Sequence, residues 1–469
     1  MLESFRAASP LPATPPGILR MAGPLVVSFW MRSLFTFVDT FFAARLGIGD
    51  APVAALGLSI PFEFVMIAVW VGLSSGLTSN LSRAMGARAG ERIEQYLAAT
   101  RALVWWTVPF FLALGAACVP LAGRLSPDPA TARQFAIYGS VLIGGSALSM
   151  FWSVIPDSIV KAHNDTRSTM WAGIWSNLIN VALNTLFTFV FHWGIFGIAF
   201  STIVGRFGGL VYALRKASAH EERRRAKGET LVAGKDPHPI RAILSLALPA
   251  AAAYGLMAAE AGIINRFLAT LDDSTESLAA YAIQYRVLMF VVMPAIALSV
   301  AMLPYAARRF GAGDIAGIRQ GLAQAHRAGI AYLALATPLI WFGAPALASS
   351  LTDSPVTARL TVTALRLIPA AALAAWPFFL CRPVFEGLGR GRPGLVMAFL
   401  RHVVLLAPAA WGGIALARGT GLPGLYGVLV GLVAAAGVAS CVFLLWTRAT
   451  LASLADSPTG PARLAASES

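Results

Sequence analysis

The chain has 469 residues, of which 57% are hydrophobic and only 12% are charged, and its mean hydropathy is +0.69. A soluble domain carries about 25% charged residues, because much of its surface must face water. The composition therefore excludes a soluble globular protein. The net charge of +14 is compatible with nucleic-acid binding, but the basic residues stand between apolar runs, which favours a membrane protein without a nucleic-acid partner.

Twelve apolar stretches follow one another along the chain. Each is long enough to cross a bilayer, for which about 20 residues suffice. They are predicted at residues 17–46, 52–82, 95–122, 132–157, 167–191, 194–216, 240–270, 278–307, 320–350, 356–382, 393–416 and 422–447. Residues 1–16 are too polar and proline-rich for a signal peptide and are interpreted as a leader, and residues 449–469 as a tail.

The distribution of lysine and arginine between alternate loops predicts the orientation, since cytosolic loops are enriched in both. Loops on one side carry nineteen of these residues, and loops on the other side carry six. The alternation runs through all eleven loops. The sequence therefore predicts an inner-membrane protein of a bacterium with both termini in the cytosol.

An internal repeat links the two halves of the chain. A single shift of 225 residues pairs Pro24 with Pro249, Arg83 with Arg308, Gly86 with Gly311 and Arg167 with Arg392. Because each half has six helices, both halves enter the membrane in the same direction. The predicted fold is an all-α membrane protein of two six-helix lobes, related by a pseudo-two-fold axis along the membrane normal. The N-lobe is assigned to 17–216, a cytosolic linker to 217–239 and the C-lobe to 240–448.

Features of a metal site or an enzyme are missing from the sequence. The three cysteines are isolated, and the six histidines form no metal-binding motif. No catalytic spacing of histidine, serine or acidic residues is visible. Duplicated lobes around a cleft suit alternating access, so a non-enzymatic transporter without a cofactor is expected.

Ionisable side chains inside a bilayer are costly and are functional candidates. Asp39 lies 22 residues into the first span and is flanked by aromatic residues. A carboxylate that binds a proton or Na⁺ allows an ion gradient to bias a two-state lobe. The alternative is a buried structural acid that is satisfied by a hydrogen bond or by Arg32, seven residues earlier on the same helix.

Three asparagines, Asn177, Asn180 and Asn184, recur at helical spacing on one face of the fifth span. Their carboxamides can complete an ion site at Asp39, or they can hold the bundle together by interhelical hydrogen bonds. Thr202 on the sixth span can join either arrangement.

Further candidates can line a substrate cavity or make structural contacts. Glu260 and Arg286 are interpreted either as a buried ion pair or as cavity residues. Aromatic residues can line an apolar drug pocket, although packing is the commoner use. The predicted substrate-cavity residues are Arg32, Phe35, Glu63, Asn177, Glu260, Gln284 and Arg286.

Several segments resemble the multidrug and toxic compound extrusion (MATE) transporters. They are PLVVSFWMRSLFTFVDTFFAARLG, APVAALGLSIP, GLTSNLSRAMGA, NLINVALN, GIFGIAFSTIVGR, LPYAARRFGAGD and EGLGRGRPGLV. The resemblance implies a two-lobed exporter driven by H⁺ or Na⁺, in which Asp39, Asn180 and Thr202 match ion-site positions. Asn184 stands where many members carry aspartate, which favours a proton switch and the DinF-like branch.

The expected function is therefore cation-coupled efflux, with H⁺ favoured over Na⁺, of xenobiotic or amphipathic small molecules by a monomer in contact with lipid. Protonation of Asp39 is expected to drive substrate release. The arginines within the spans favour anionic or zwitterionic substrates over organic cations. The alternatives are a lipid-linked precursor flippase of the same superfamily or another 6+6 secondary transporter.

Overall fold

The computed structural model describes residues 16–226 and 234–456, and within these ranges the chain is helical with no strand. The N-lobe helices are α1 (Ile18–Ala44), α2 (Ala51–Gly86), α3 (Gly90–Leu125), α4 (Pro129–Ala162), α5 (Thr166–Val190) and α6 (Gly194–Ala226). The C-lobe helices are α7 (Pro239–Leu268), α8 (Ser274–Gly311), α9 (Ile315–Leu351), α10 (Pro355–Arg366), α11 (Ile368–Gly387), α12 (Arg392–Thr420) and α13 (Gly424–Asp456).

Twelve of these helices are long and apolar enough to cross a membrane, which confirms the predicted all-α membrane fold. The tenth span is divided, because α10 ends at Arg366 and α11 begins at Ile368. Helix α6 continues to Ala226, ten residues beyond the predicted end of the N-lobe, and α13 continues to Asp456. Within the predicted leader, linker and tail, residues 1–15, 227–233 and 457–469 lie outside the described ranges.

The outer surface carries large apolar side chains that water would not tolerate. Trp106 is 81% exposed, Phe342 is 80% exposed and Leu335 is 77% exposed. In a bilayer these side chains face lipid tails, where exposure of an apolar group carries no hydrophobic penalty. The protein is an integral membrane protein.

Each lobe is organised around one central helix. In the N-lobe, α4 packs against α2, α3 and α6, and the rings of Phe111 and Phe151 stack at 4.9 Å between their centroids. In the C-lobe, α11 packs against α8 and α13. The rings of Phe111 and Phe151 in the N-lobe are both fully buried. Such an aromatic pair stabilises a core by more than the burial of its apolar area alone.

The lobes meet through α1 and α2 on one side and α7 and α8 on the other. At the end of the molecule that carries the lysine- and arginine-rich loops, here called the basic end, α2 and α8 touch backbone to backbone. Gly86 lies against the carbonyl of Arg308, and Gly311 lies against the carbonyl of Arg83. A Cβ atom at either glycine would overlap the opposite carbonyl, so only glycine permits this approach.

Further hydrogen bonds join the lobes at the same end. Ser79 Oγ donates to the carbonyl of Glu386 at 2.6 Å, and Arg308 Nη1 donates to the carbonyl of Ala162 at 2.9 Å. The lobes are therefore closed against each other at the basic end.

Candidate functional site

The first candidate site lies where α1, α5 and α6 of the N-lobe converge. Gly205 on α6 approaches α5 so closely that a Cβ atom would lie 2.5 Å from the carbonyl oxygen of Ser176. This close packing brings the asparagine face of α5 beside Thr202. The α-helix of α5 ends at Thr185 and continues as a π-helical turn, a geometry that recurs at functional sites.

Asp39 on α1 accepts hydrogen bonds from both partner helices. Asn184 Nδ2 donates to Asp39 Oδ1 at 2.8 Å, and Thr202 Oγ1 lies 3.2 Å from Asp39 Oδ2. The Thr202 hydroxyl has one hydrogen, which is shared between Asp39 and the carbonyl of Ile198, also at 3.2 Å. Both carboxylate oxygens thus face neutral donors.

A second layer of polar groups fixes these donors. Ser201 Oγ donates to Asn184 Oδ1 at 2.6 Å, and Asn180 Nδ2 donates to Thr202 Oγ1 at 2.9 Å. Asn184 is fully buried and Asn180 is 9% exposed. The side-chain amides of Asn180 and Asn184 each use both their oxygen and their nitrogen within the network. The network therefore fixes the orientation of the groups that donate to Asp39.

Charged side chains surround this network. Arg206, one turn beyond Thr202 on α6, interacts electrostatically with Asp39 and with Glu63 on α2. Arg32 on α1 interacts electrostatically with Glu63 as well. Two carboxylates and two guanidinium groups therefore balance in formal charge. Among the residues described, no cluster of three or more histidine, cysteine or acidic side chains could hold a metal ion.

The second candidate site lies in the C-lobe, between α7 and α12. His402 Nδ1 lies 2.9 Å from Glu260 Oε2, and the guanidinium of Arg401 lies 4.9 Å from the ring centroid of Phe378. Arg401 and His402 belong to a second π-helical turn, Leu400–Leu405. Both lobes thus place site residues in or directly before a π-helical turn of their fifth span.

These C-lobe residues line a cavity of about 110 Å³. Gln284 on α8 also lines it and is 2% exposed. The remaining walls are largely aromatic and aliphatic, with Tyr281, Tyr285 and Phe379 among them. An apolar cavity with a few convergent polar groups is the usual form of a small-molecule site.

A family model described as MatE matches residues 24–186 and 249–411, which together are more than half of the chain. The two segments are offset by the same 225 residues as the internal repeat. The chain belongs to the MatE family. MATE proteins are multidrug efflux transporters, so the resemblance seen in the sequence is confirmed at this level.

This MATE protein is similar to known transporters over nearly its whole length. It is 23% identical over 433 residues to an FAD transporter of Shewanella oneidensis, with 88% of this chain and 90% of the relative covered. It is 26% identical over 458 residues to a probable multidrug resistance protein NorM of Mesorhizobium japonicum, with 92% of each covered. A crystal structure of a MATE in complex with MaL6 superimposes with a TM-score of 0.81 at 20% identity, covering 94% of this chain and 97% of that one.

In this MATE protein the four residues expected to couple ions come together in one hydrogen-bonded network: Asp39, Asn180, Asn184 and Thr202. Asn177 is half-buried on the same helix, and no hydrogen bond joins it to these described residues. The side chain of Phe35 lies outside the described residues.

The C-lobe candidates differ from the sequence interpretation in one respect. No ion pair joins the two described residues Glu260 and Arg286, because Glu260 lies beside His402 and the side chain of Arg286 is exposed. The proposed pairing of these two residues is therefore not the arrangement in this MATE protein, and Glu260 and Gln284 face the cavity instead.

Two site residues of this MATE protein were missed in the sequence, Ser201 and His402, and Arg206 was recognised there only as an ionisable residue inside a span. Ser201 and Arg206 flank Thr202 on α6, and their roles depend on which face α6 turns toward α5. His402 could have been found from the internal repeat. The 225-residue shift pairs His402 with Asn177 and Glu260 with Phe35, and both Asn177 and Phe35 are predicted cavity residues of the N-lobe.

Proposed function

We propose that this MATE protein is a proton-coupled antiporter of a bacterial inner membrane, which exports small xenobiotic or amphipathic molecules by alternating access. Protonation of Asp39 drives substrate release in this mechanism. The observation that carries the proposal is the Asp39 carboxylate, held by neutral donors from two neighbouring helices. Because these donors come from α5 and α6, the packing of α1 against both helices depends on the charge of the Asp39 carboxylate.

The composition of the site supports H⁺ over Na⁺ as the coupling ion. Na⁺ is held by several oxygen ligands, whereas Asn184 presents its N–H donor, and no oxygen of a second acid, to Asp39. A proton enters by neutralising Asp39 itself and needs no coordination shell.

Protonation changes the hydrogen bonds that Asp39 can make. The carboxylate accepts from Asn184 and Thr202, but a carboxylic acid has one O–H donor and cannot accept equally at both oxygens. With the proton on Oδ2, the Asp39 O–H donates to Thr202 Oγ1, the Thr202 hydrogen turns to the carbonyl of Ile198, and α1 repacks against α5 and α6. This movement of α1 releases the substrate. A proton gradient thereby shifts the population between two states of the lobe.

Closure at the basic end supports a direction for this cycle. If the lysine- and arginine-rich loops face the cytosol, the contact between Gly86 and Arg308 closes the cytosolic side. The described state then exposes the space between the lobes to the outside. Protons from the outside reach Asp39 in this state, and substrate is released there.

The charges of the membrane helices support anionic or zwitterionic substrates. Arg32, Arg206 and Arg401 lie within the two candidate sites, and each would repel an organic cation. The similar Shewanella oneidensis protein is named an FAD transporter, and FAD is an anion. An efflux transporter with a preference for anionic or zwitterionic aromatic molecules fits both observations.

The test is efflux from proteoliposomes in which a pH gradient and a Na⁺ gradient are imposed separately. We expect the pH gradient alone to drive efflux, and Asp39→Asn to abolish it while the protein still inserts and purifies. Asp50→Asn, a change in an exposed residue of the α1–α2 loop, is the control and should retain wild-type rates. Undiminished pH-driven efflux by Asp39→Asn would refute Asp39 as the coupling residue.

A further inference from the structure

The cavity of the C-lobe contains polar groups that the protein leaves unsatisfied. Gln284 and His402 are each only 2% exposed. Gln284 Oε1 has no hydrogen-bond partner in the described part of the chain, and neither ring nitrogen of His402 has a well-aligned one, although Nδ1 lies near Glu260. A buried acceptor without a donor costs about 1–3 kcal/mol. Both residues line the cavity, so a bound molecule with N–H groups can satisfy them.

The charges in the cavity already cancel. Glu260 contributes one negative charge, and Arg401 contributes one positive charge and interacts electrostatically with it. Arg401 also lies over the face of Phe378, at 4.9 Å from the ring centroid. An aromatic face next to a carboxylate is the place where an organic cation would bind. Arg401 therefore occupies that place with a cation that belongs to the protein.

The shape of the cavity limits what it can hold. Its volume of about 110 Å³ is well below the 300–1,000 Å³ or so of pockets that enclose a whole drug-sized ligand. Tyr281, Tyr285 and Phe379 supply aromatic surface around the polar groups. A single flat ring at one end of a larger molecule fits this space, with its edge toward Gln284 and His402.

We propose that the C-lobe cavity binds an uncharged planar ring that presents N–H donors, such as an imide or an aminoheterocycle, and that Arg401 excludes organic cations from it. The inference rests on the proposed function only in that the ring belongs to an exported molecule. It assigns Gln284 and His402 to ligand recognition and Arg401 to charge selection.

The experiment measures equilibrium binding to the purified full-length protein in lipid nanodiscs, without any ion gradient. Riboflavin is the uncharged probe with an imide N–H, and ethidium is a planar cation of similar size; both are followed by fluorescence. We expect the wild-type protein to bind riboflavin more tightly than ethidium. Gln284→Leu should weaken riboflavin binding about 10-fold, because the imide N–H loses its acceptor, and should leave ethidium binding unchanged.

Arg401→Gln tests the charge selection. We expect it to strengthen ethidium binding about 10-fold, because the cation can then lie between Phe378 and Glu260, and to change riboflavin binding less than about 3-fold. Arg401→Lys keeps the charge and should keep wild-type selectivity. Arg366→Gln is the matched control, since Arg366 lies 5.1 Å from the ring centroid of Trp341 in the same lobe but does not line the cavity.

Two results would overturn the proposal: wild-type protein that binds ethidium at least as tightly as riboflavin, or an Arg401→Gln variant with an unchanged ratio of the two affinities. Variants are compared only when their thermal unfolding matches the wild type, and Arg401→Met supplies the uncharged comparison if Arg401→Gln does not fold. Failure here leaves gradient-driven efflux through Asp39 untouched. Wild-type protein that shows the expected binding selectivity but no efflux under a pH gradient would instead contradict the coupling mechanism alone.

Discussion

Asn184 donates a hydrogen bond of 2.8 Å to Asp39, so an amide occupies the position that faces the helix α1 carboxylate. The amide supplies a donor and carries no charge, and it is held in place by Ser201. The choice of amide over acid at this position sets the charge of the site.

Asn184→Asp should change the coupling ion. Two carboxylates at hydrogen-bonding distance repel each other unless a cation or proton lies between them. We expect the variant to gain efflux driven by a Na⁺ gradient alone, measured in proteoliposomes at constant pH. Asn177→Asp adds an acid to the same helix outside the network and serves as the control. A variant that remains indifferent to Na⁺ would show that Asn184 does not select the ion.

Arg206→Gln should alter the pH dependence of efflux. Arg206 interacts electrostatically with Asp39 and Glu63, and its loss leaves two carboxylates with reduced compensation. Proton binding to the site becomes easier, so the pH of half-maximal efflux should rise. The measurement is the pH profile of efflux at a fixed gradient, with Arg101→Gln, an exposed arginine of α3, as the control. An unchanged profile would remove Arg206 from the coupling site.

Gly86→Ala should weaken closure at the basic end. A methyl group at this position overlaps the carbonyl of Arg308, so α2 and α8 must separate. We expect a lower yield of disulfide cross-links between cysteines introduced at the basic ends of the two helices, in a Cys441→Ser background. Gly123→Ala, where a Cβ atom meets nothing within 4 Å, is the control. Equal cross-linking in both variants would contradict the assigned contact.

Asp165 should contribute to stability in a pH-dependent way. It precedes α5, and although burial raises its pKa, hydrogen bonds from His220 and Ser168 lower the pKa to about 2. Because the folded pKa lies below the unfolded value of 3.8, the stabilisation is present above about pH 4 and is lost as the pH falls toward 2.

The matching variant is Asp165→Asn, which keeps a side chain that can cap α5 but loses the charge. At pH 5 we expect it to be about 1–2 kcal/mol less stable than the wild type, and this difference should shrink at pH 3. Thermal unfolding in detergent at the two pH values gives the comparison. A difference that is the same at both pH values would mean that the charge of Asp165 does not stabilise the fold.

The twelve membrane helices could be predicted because the thickness of the bilayer sets a minimum length for an apolar segment. That length can be counted directly in the sequence. The meeting of Asn180 with Thr202 could be anticipated because α5 and α6 are consecutive and their polar faces follow helical periodicity. The position of the site within the N-lobe thus followed largely from local pattern and from resemblance.

The partners of the charged residues could not be predicted in the same way. Glu260 lies beside His402, which is 142 residues away in sequence, because α7 packs against the π-helical turn of α12. Likewise, the spacing along α1 suggested Arg32 as the charge near Asp39, whereas α6 supplies Arg206. Contacts between helices that are distant in sequence depend on how each helix is rotated about its own axis. The periodicity of the sequence shows which residues share a face, but not which helix that face contacts.

The reciprocal contact of Gly86 and Gly311 has a mechanical consequence. Helix α2 has 36 residues and is therefore about 54 Å long at about 1.5 Å per residue. With its last residue against the opposite lobe, the helix can act as a lever with its fulcrum at one end. A rotation of about 10° about that point moves the far end by about 9 Å, by the same helix geometry. Two backbones in direct contact can thus convert a small change of angle into a much larger displacement at the far end of the helix.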